Sequence, residues 1–188
     1  MNFGLLAQHW LDGFLLLMIV GALVVGFSRG LLWEFIVLAS LYIGTVIAAQ
    51  YYFYLADFLR QLSQNASSSK LLDAITFIFL LMSISLAVDW LVYDTLRNTK
   101  LKLFPSIDHL GGTTLGLVAV LVLIILITPV VTFGLNETWP TGWPENVRVF
   151  IETGMNTSAL IPKLGEFKPI LVSSLKPWLP FGSSILSF

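Results

Sequence analysis

Apolar residues along this chain run in four long blocks without Asp, Glu, Lys or Arg, at 13–28, 35–56, 74–88 and 109–136. A helix rises 1.5 Å per residue, so about 20 apolar residues cross the ~30 Å hydrocarbon core of a bilayer. The fourth block reaches that length alone and the second comes close. The first and third reach it by borrowing polar flanks, Asp12 for one and Asp73 and Asp89 for the other. The pattern predicts four transmembrane helices, over about Leu11–Phe27, Leu31–Tyr54, Leu71–Tyr93 and Gly112–Phe133. Only Ser28-Arg29-Gly30 separates the first two, and Gly26 and Gly30 flank a turn where glycine tolerates tight backbone geometry. Leu55–Lys70 links the second and third helices. Arg97, Lys100, Lys102 and Pro105 fall between the third and fourth. Pro129 lies near the end of the fourth, where neighbouring groups or water can satisfy the carbonyl it frees.

Beyond residue 135 the pattern changes. The tail carries Pro140, Pro144, Pro162, Pro169, Pro177 and Pro180 with scattered charges, and it is not a fifth span. Phe167, Ile170, Leu171, Leu175, Trp178 and Leu179 nevertheless fall on one helical face, with Lys168 and Lys176 on its flanks. That is the pattern of a helix lying in the membrane interface, and Trp139, Trp143 and Trp178 suit an aromatic belt. A tail packed on its own bundle is the plainer alternative. The expected architecture is all-α and polytopic: a four-helix transmembrane domain at 1–135 and a proline-rich tail of short interfacial helices at 136–188.

Composition agrees with a membrane protein. Of 188 residues 56% are hydrophobic and 11% charged, against about 25% charged in an average soluble domain. The mean hydropathy is +0.86. A net charge of −1 without a basic run gives no electrostatic footprint for nucleic acid. The absence of cysteine excludes a disulfide framework, a thiolate metal site and S-palmitoylation. Met1–Asp12 has no Lys or Arg, and no Ala-x-Ala follows the first block, so that block is read as an uncleaved span. Four full crossings place Arg29, Arg97, Lys100 and Lys102 on one side and Arg60, Lys70 and Arg148 on the other. The small excess of cations turns the first side to the cytoplasm and both termini away from it.

Ionisable residues near membrane depth are costly and mark function by default. Arg29, Glu34, Asp73 and Asp89 qualify. Two readings of the first pair stay open. In one, Glu34 sits in the first turn of its helix, favoured by the macrodipole, and Arg29 snorkels to headgroups. In the other, a buried Arg29–Glu34 pair closes a short re-entrant hairpin. Small residues recur four apart, at Ser40, Gly44 and Ala48, at Ser83 and Ala87, and at Gly112 and Gly116. Such spacing permits close helix approach, within one bundle or between copies. No HExxH motif, P-loop or nucleophile elbow is present, and His9 and His109 are too few for a histidine metal site. His109 beside Asp108 reads as a polar pair at a loop end. No cofactor is expected, and no enzymatic activity.

In order, the chain shows Leu11-Asp12 before an apolar run, Gly26-Phe27-Ser28-Arg29-Gly30-Leu31, Glu34, then Ile107-Asp108-His109-Leu110-Gly111-Gly112 and Gly116. This series resembles the colicin V production protein family of bacterial inner-membrane proteins, over about Leu11–Val131. Asp12, Gly26, Arg29, Gly30, Glu34, Asp108, Gly112 and Gly116 match the family's pattern. The resemblance implies a four-span protein of the bacterial cytoplasmic membrane with a role in colicin V production or export and envelope upkeep. Asp89 inside the third helix and the long proline-rich tail depart from that pattern. The expected function is a non-enzymatic accessory or scaffold that packs against itself or other membrane proteins within the lipid bilayer. The alternative is a small channel or transporter subunit with a polar path lined by Arg29, Glu34 and Asp89.

Overall fold

The computed structural model describes residues 9–62, 70–96, 105–135 and 144–178. Its elements are α1 (Trp10–Arg29), α2 (Leu31–Leu62), α3 (Lys70–Leu96), α4 (Pro105–Leu135), α5 (Glu145–Thr157), α6 (Leu160–Gly165) and α7 (Lys168–Leu175), followed by a 3₁₀ turn at Lys176–Trp178. No strand occurs among the described residues. The first four helices are long and apolar enough to cross a membrane. The expected all-α, four-span architecture is what forms.

Two helix boundaries move by about two turns. Tyr54 is not the end of the second helix, because α2 continues to Leu62. Its added turns carry Arg60, which pairs with Asp73 at the start of α3. The fourth helix begins at Pro105, about two turns before Gly112. Proline favours a first helical position, where its missing N–H is not needed. The Asp108–His109 pair expected at a loop end therefore lies on a helix. Charge marks where a chain leaves hydrocarbon; a helix continues into the polar zone beyond. The expected cationic loop residues Arg97, Lys100 and Lys102, the aromatic-belt residues Trp139 and Trp143, and Leu179 lie outside the described residues.

Buried small residues decide how the spans meet. Ser40, Gly44 and Ala48 form one face of α2, all buried, and this face packs on α3. A Cβ on Gly44 would lie 3.1 Å from the Leu81 carbonyl oxygen and 3.2 Å from the Ser85 nitrogen. That stripe serves packing within the bundle, whereas Ser83 and Ala87 face outward. The principal core joins Leu41, Ala48 and Tyr52 of α2, Phe77 and Leu81 of α3, and Leu126, Val130 and Phe133 of α4. A second cluster joins Leu15 of α1 with Val120 and Ile124 of α4. α1 packs mainly on α4 and α3 mainly on α2, while α1 and α3 scarcely touch. Pro129 is accommodated inside α4 between Thr128 and Thr132, whose hydroxyls bond back to the Ile124 and Thr128 carbonyls.

From a shared joint at Gly30, the 20 residues of α1 reach ~30 Å and the 32 of α2 reach ~48 Å. The tail fills in beside the shorter helix. Phe150 of α5 stacks on Trp10 at 4.3 Å, and Leu160, Ile161 and Leu164 pack on the α1–α4 cluster. α7 then crosses to α2, where Leu175 is 1% exposed in the principal core and Tyr42 Oη donates to the Ser174 carbonyl at 3.0 Å. The single tail face drawn from the sequence is divided: Leu171 and Leu175 turn inward, and Phe167, Ile170 and Trp178 are exposed.

Candidate functional site

Helices α1 and α2 are joined by one residue, and two consecutive side chains of α4 fasten the joint. Gly30 has φ +87° and ψ 172°, a region essentially reserved for glycine. Its N–H closes α1 on the Gly26 carbonyl at 3.0 Å. The first N–H groups of a helix and its last carbonyls have no partner within the helix. Here Asp108 Oδ1 accepts the Leu31 N–H that opens α2, at 2.9 Å. His109 Nδ1 lies 2.7 Å from the Phe27 carbonyl oxygen in the last turn of α1. A carbonyl only accepts, so Nδ1 carries the proton. The imidazole also stacks on the Phe27 ring at 4.8 Å.

Glycines let α4 come this close. A Cβ on Gly112 would lie 2.8 Å from the Gly30 Cα, and one on Gly26 would overlap the Gly112 carbonyl oxygen. One turn further, a Cβ on Gly116 would meet the Ala22 carbonyl oxygen at 2.8 Å. Gly26, Gly30, Asp108, Gly112 and Gly116, far apart in sequence, thus form one knot of backbone with one carboxylate.

Beneath the knot lies a cavity of about 340 Å³ bordered by all four spans. It occupies the gap that α1 and α3 leave by not packing together. Arg29, Glu34 and Asp89 all border it, with Ser40 and Ser85. A smaller cavity of about 240 Å³, lined by Ser28, Arg29, Trp33, Asp89 and Tyr93, shares Arg29 and Asp89 with it. Glu34 is in the first turn of α2 and only 4% exposed. Its Oε2 approaches Gly116, where a Cβ would lie 3.4 Å away. Its Oε1 is buried without a hydrogen-bond partner, as are Ser40 Oγ and Ser85 Oγ. Each such group costs about 1–3 kcal/mol if it stays unsatisfied.

Arg29, at the end of α1, is exposed. It makes no ion pair with Glu34 within 4 Å among the described residues, so the two face one cavity without closing on each other.

Asp12 lies away from the knot, near the other end of α1. Its carboxylate accepts Ser158 Oγ at 2.5 Å, the Ala159 N–H at 2.9 Å and the Leu160 N–H at 3.3 Å, and so caps the start of α6. Asp73 pairs with Arg60 and contributes nothing to the cavity. Among the described residues no cluster of His, Asp and Glu is placed to hold a metal ion.

Three participants escape sequence reasoning. Ser85 is one of two serines on α3, and only its register against Gly44 brings it inward. Ser158 has a signal, a serine just before a helix start, but no hint that Asp12 would join it. His109 is visible as a neighbour of Asp108, and its grip on Phe27 follows only from the helical start of α4.

The family model described as colicin V production protein matches residues 11–167. No curated protein and no solved structure matches the chain.

Proposed function

Because the chain belongs to the colicin V production protein family, we propose that it is a non-enzymatic accessory or scaffold protein of the bacterial cytoplasmic membrane. It serves colicin V production or export and envelope upkeep by packing against itself or other membrane proteins. The observation that supports this reading is how three polar side chains within the matched span are used. Asp108 and His109 hold helix ends together, and Asp12 holds the tail. These are fastenings, and the glycines between them set the helix spacing. Arg29, at the C-terminal end of α1, complements the negative end of that helix and anchors the joint at the headgroups.

The test is complementation of a deletion strain that makes colicin V, reading secreted toxin activity and the amount of chain in the membrane fraction. The wild-type chain restores toxin release, and Arg29→Ala lowers both readouts. Unchanged toxin release on deletion sinks the accessory reading. Normal accumulation, self-association and toxin release by Arg29→Ala remove Arg29 from the working set.

One observation favours a second reading, a small channel or transporter subunit. Arg29, Glu34 and Asp89 border a single cavity that reaches buried polar atoms, and intramembrane ionisable groups mark ion and solute paths. Purified protein in liposomes then passes ions or small solutes, and Asp89→Asn alters the flux. A silent protein across lipid compositions counts against it.

A further inference from the structure

We propose that the small cavity beside the α1–α2 joint is a site for the headgroup of a zwitterionic phospholipid, a phosphodiester followed by an ammonium, with one acyl chain in the larger cavity beneath. This rests on the placement of Arg29 at headgroup level argued above, and not on toxin release or passage across the membrane.

Helix ends gather the recognition groups. Arg29 is the last residue of α1 and Trp33 the third of α2. Asp89 and Tyr93 lie about two turns and one turn before the end of α3, four apart and so on one face of it. With Ser28 they line the cavity of about 240 Å³.

Opposite charges face this small space without meeting. Among the described residues Arg29 and Asp89 make no ion pair within 4 Å, and neither side chain has a hydrogen bond. A separated pair suits a ligand that carries both charges itself. The guanidinium takes the phosphate through paired N–H donors, and the Asp89 carboxylate takes the ammonium. Ser28 Oγ donates to the Val25 carbonyl at 2.8 Å and keeps lone pairs for the same ammonium. The Trp33 and Tyr93 rings, with centroids 5.1 Å apart, form an aromatic wall whose faces attract a cation. Trp and Tyr also settle at headgroup level. An anionic lipid fits poorly. Sites for anionic headgroups cluster Lys and Arg, whereas here one arginine stands against Asp89, with the Glu34 carboxyl bordering the adjoining cavity.

The acyl chain follows from continuity. The two cavities share Arg29 and Asp89. The larger one is lined by Val25 of α1, Val37 and Leu41 of α2, and Met82 and Leu86 of α3. Val25, Met82 and Leu86 are also exposed, so this cavity opens sideways to hydrocarbon through the gap between α1 and α3. A chain enters there without crossing the polar zone, which makes the ligand a lipid and not its water-soluble headgroup.

The experiment titrates the full-length protein in detergent with phosphatidylethanolamine or phosphatidylglycerol of identical chains and counts lipid-bound species by native mass spectrometry. The expected result is one phosphatidylethanolamine held at least about fivefold more tightly than phosphatidylglycerol. Glycerophosphoethanolamine, the same headgroup without chains, should not displace it. Equal affinity for the two lipids, or preference for phosphatidylglycerol, overturns the proposal. Displacement by the chain-free headgroup at the same concentration also overturns it, because the chain would then contribute nothing.

Asp89→Asn should erase the preference, and Arg29→Gln should weaken both lipids. Glu166→Gln makes the same charge change as Asp89→Asn at an exposed residue that borders neither cavity, and should change nothing. If Asp89→Asn does not fold, Tyr93→Leu, at an exposed position, takes its place and should weaken phosphatidylethanolamine alone. Wild-type preference in these site variants, or an equal loss in Glu166→Gln, overturns the proposal. The premise fails separately. A Ser28→Cys thiol closed to water-soluble reagent in phosphatidylglycerol nanodiscs puts the joint below the headgroups and overturns the proposal through its placement. A thiol that labels, in a protein without preference for phosphatidylethanolamine, leaves the placement standing and removes the site.

Discussion

At the scale of single residues, the joint between α1 and α2 depends on one backbone conformation and one carboxylate. Gly30 adopts φ +87° with the Asp108 carboxylate packed where a Cβ would project. Gly30→Ala must hold a side chain in a region L-residues avoid, at about 1–3 kcal/mol, and must also displace the carboxylate. Asp108→Ala frees the Leu31 N–H instead, a lost helix cap of about 1 kcal/mol. Thermal unfolding in detergent should rank Gly30→Ala as the more destabilised, then Asp108→Ala. Asp108→Asn should fall nearest the wild type, since an amide oxygen can still accept the bond. An Asp108→Asn variant as weak as Asp108→Ala would mean that the charge matters more than the cap. The joint was partly legible in the sequence. Gly26, Gly30, Gly112 and Gly116 stand out there as turn and close-approach residues, and Asp108 as half of a polar pair. Their convergence does not, because spacing along a chain says nothing about which helix end meets which.

Among elements, the same limit separates what charge and hydropathy reveal from what register decides. Four charge-free blocks suffice to place four spans, since desolvating an ionised group is the dominant cost in hydrocarbon. The ends of α2 and α4 escape that logic, because Arg60 and Asp108 are as compatible with a helix outside hydrocarbon as with a loop. The tail shows the effect most clearly. Its apolar periodicity is real, but Leu175 enters the core while Ile170 stays exposed, a division set by the groove between α2 and α4. Beside the Trp10–Phe150 stack, Asp12 ties the tail to α1 with three hydrogen bonds into Ser158, Ala159 and Leu160. Asp12→Ala removes all three acceptor contacts. Amide hydrogen exchange in residues 159–165 should accelerate roughly tenfold, the equivalent of about 1.4 kcal/mol of local opening. Exchange in the α2–α3 core around Ala48 and Phe77 should stay unchanged. Equal acceleration in that core would show that Asp12 supports the whole bundle, and no acceleration at 159–165 would show that the apolar contacts of Ile161 and Leu164 suffice.

For the whole molecule, a bundle fastened at one end has two ways to sit in the bilayer. α1 and α2 leave Gly30 in different company, α1 against α4 and α2 against α3 and α4. A re-entrant hairpin would instead pack its two arms on each other. α1 also has the ~30 Å needed to cross. Both points favour a full crossing by α1, with the Gly30 joint at one membrane face and Gln61, near the end of α2, beyond the other. A joint on the cytoplasmic side is the orientation that the small excess of cations in the sequence predicts. Since the chain has no cysteine, single substitutions Ser28→Cys, Gln61→Cys and Glu152→Cys can be probed with an impermeant thiol reagent in oriented vesicles. All three positions are exposed. Ser28→Cys should react from the cytoplasmic side, and Gln61→Cys and Glu152→Cys from the opposite side, which puts the tail beside the far end of α2. Inverted labelling of all three keeps the fold and reverses the orientation. Labelling of Ser28→Cys and Gln61→Cys from the same side breaks the four-crossing arrangement itself. The cavity under the joint would then lie at a different depth, and Glu34 would face the membrane centre instead of one polar boundary.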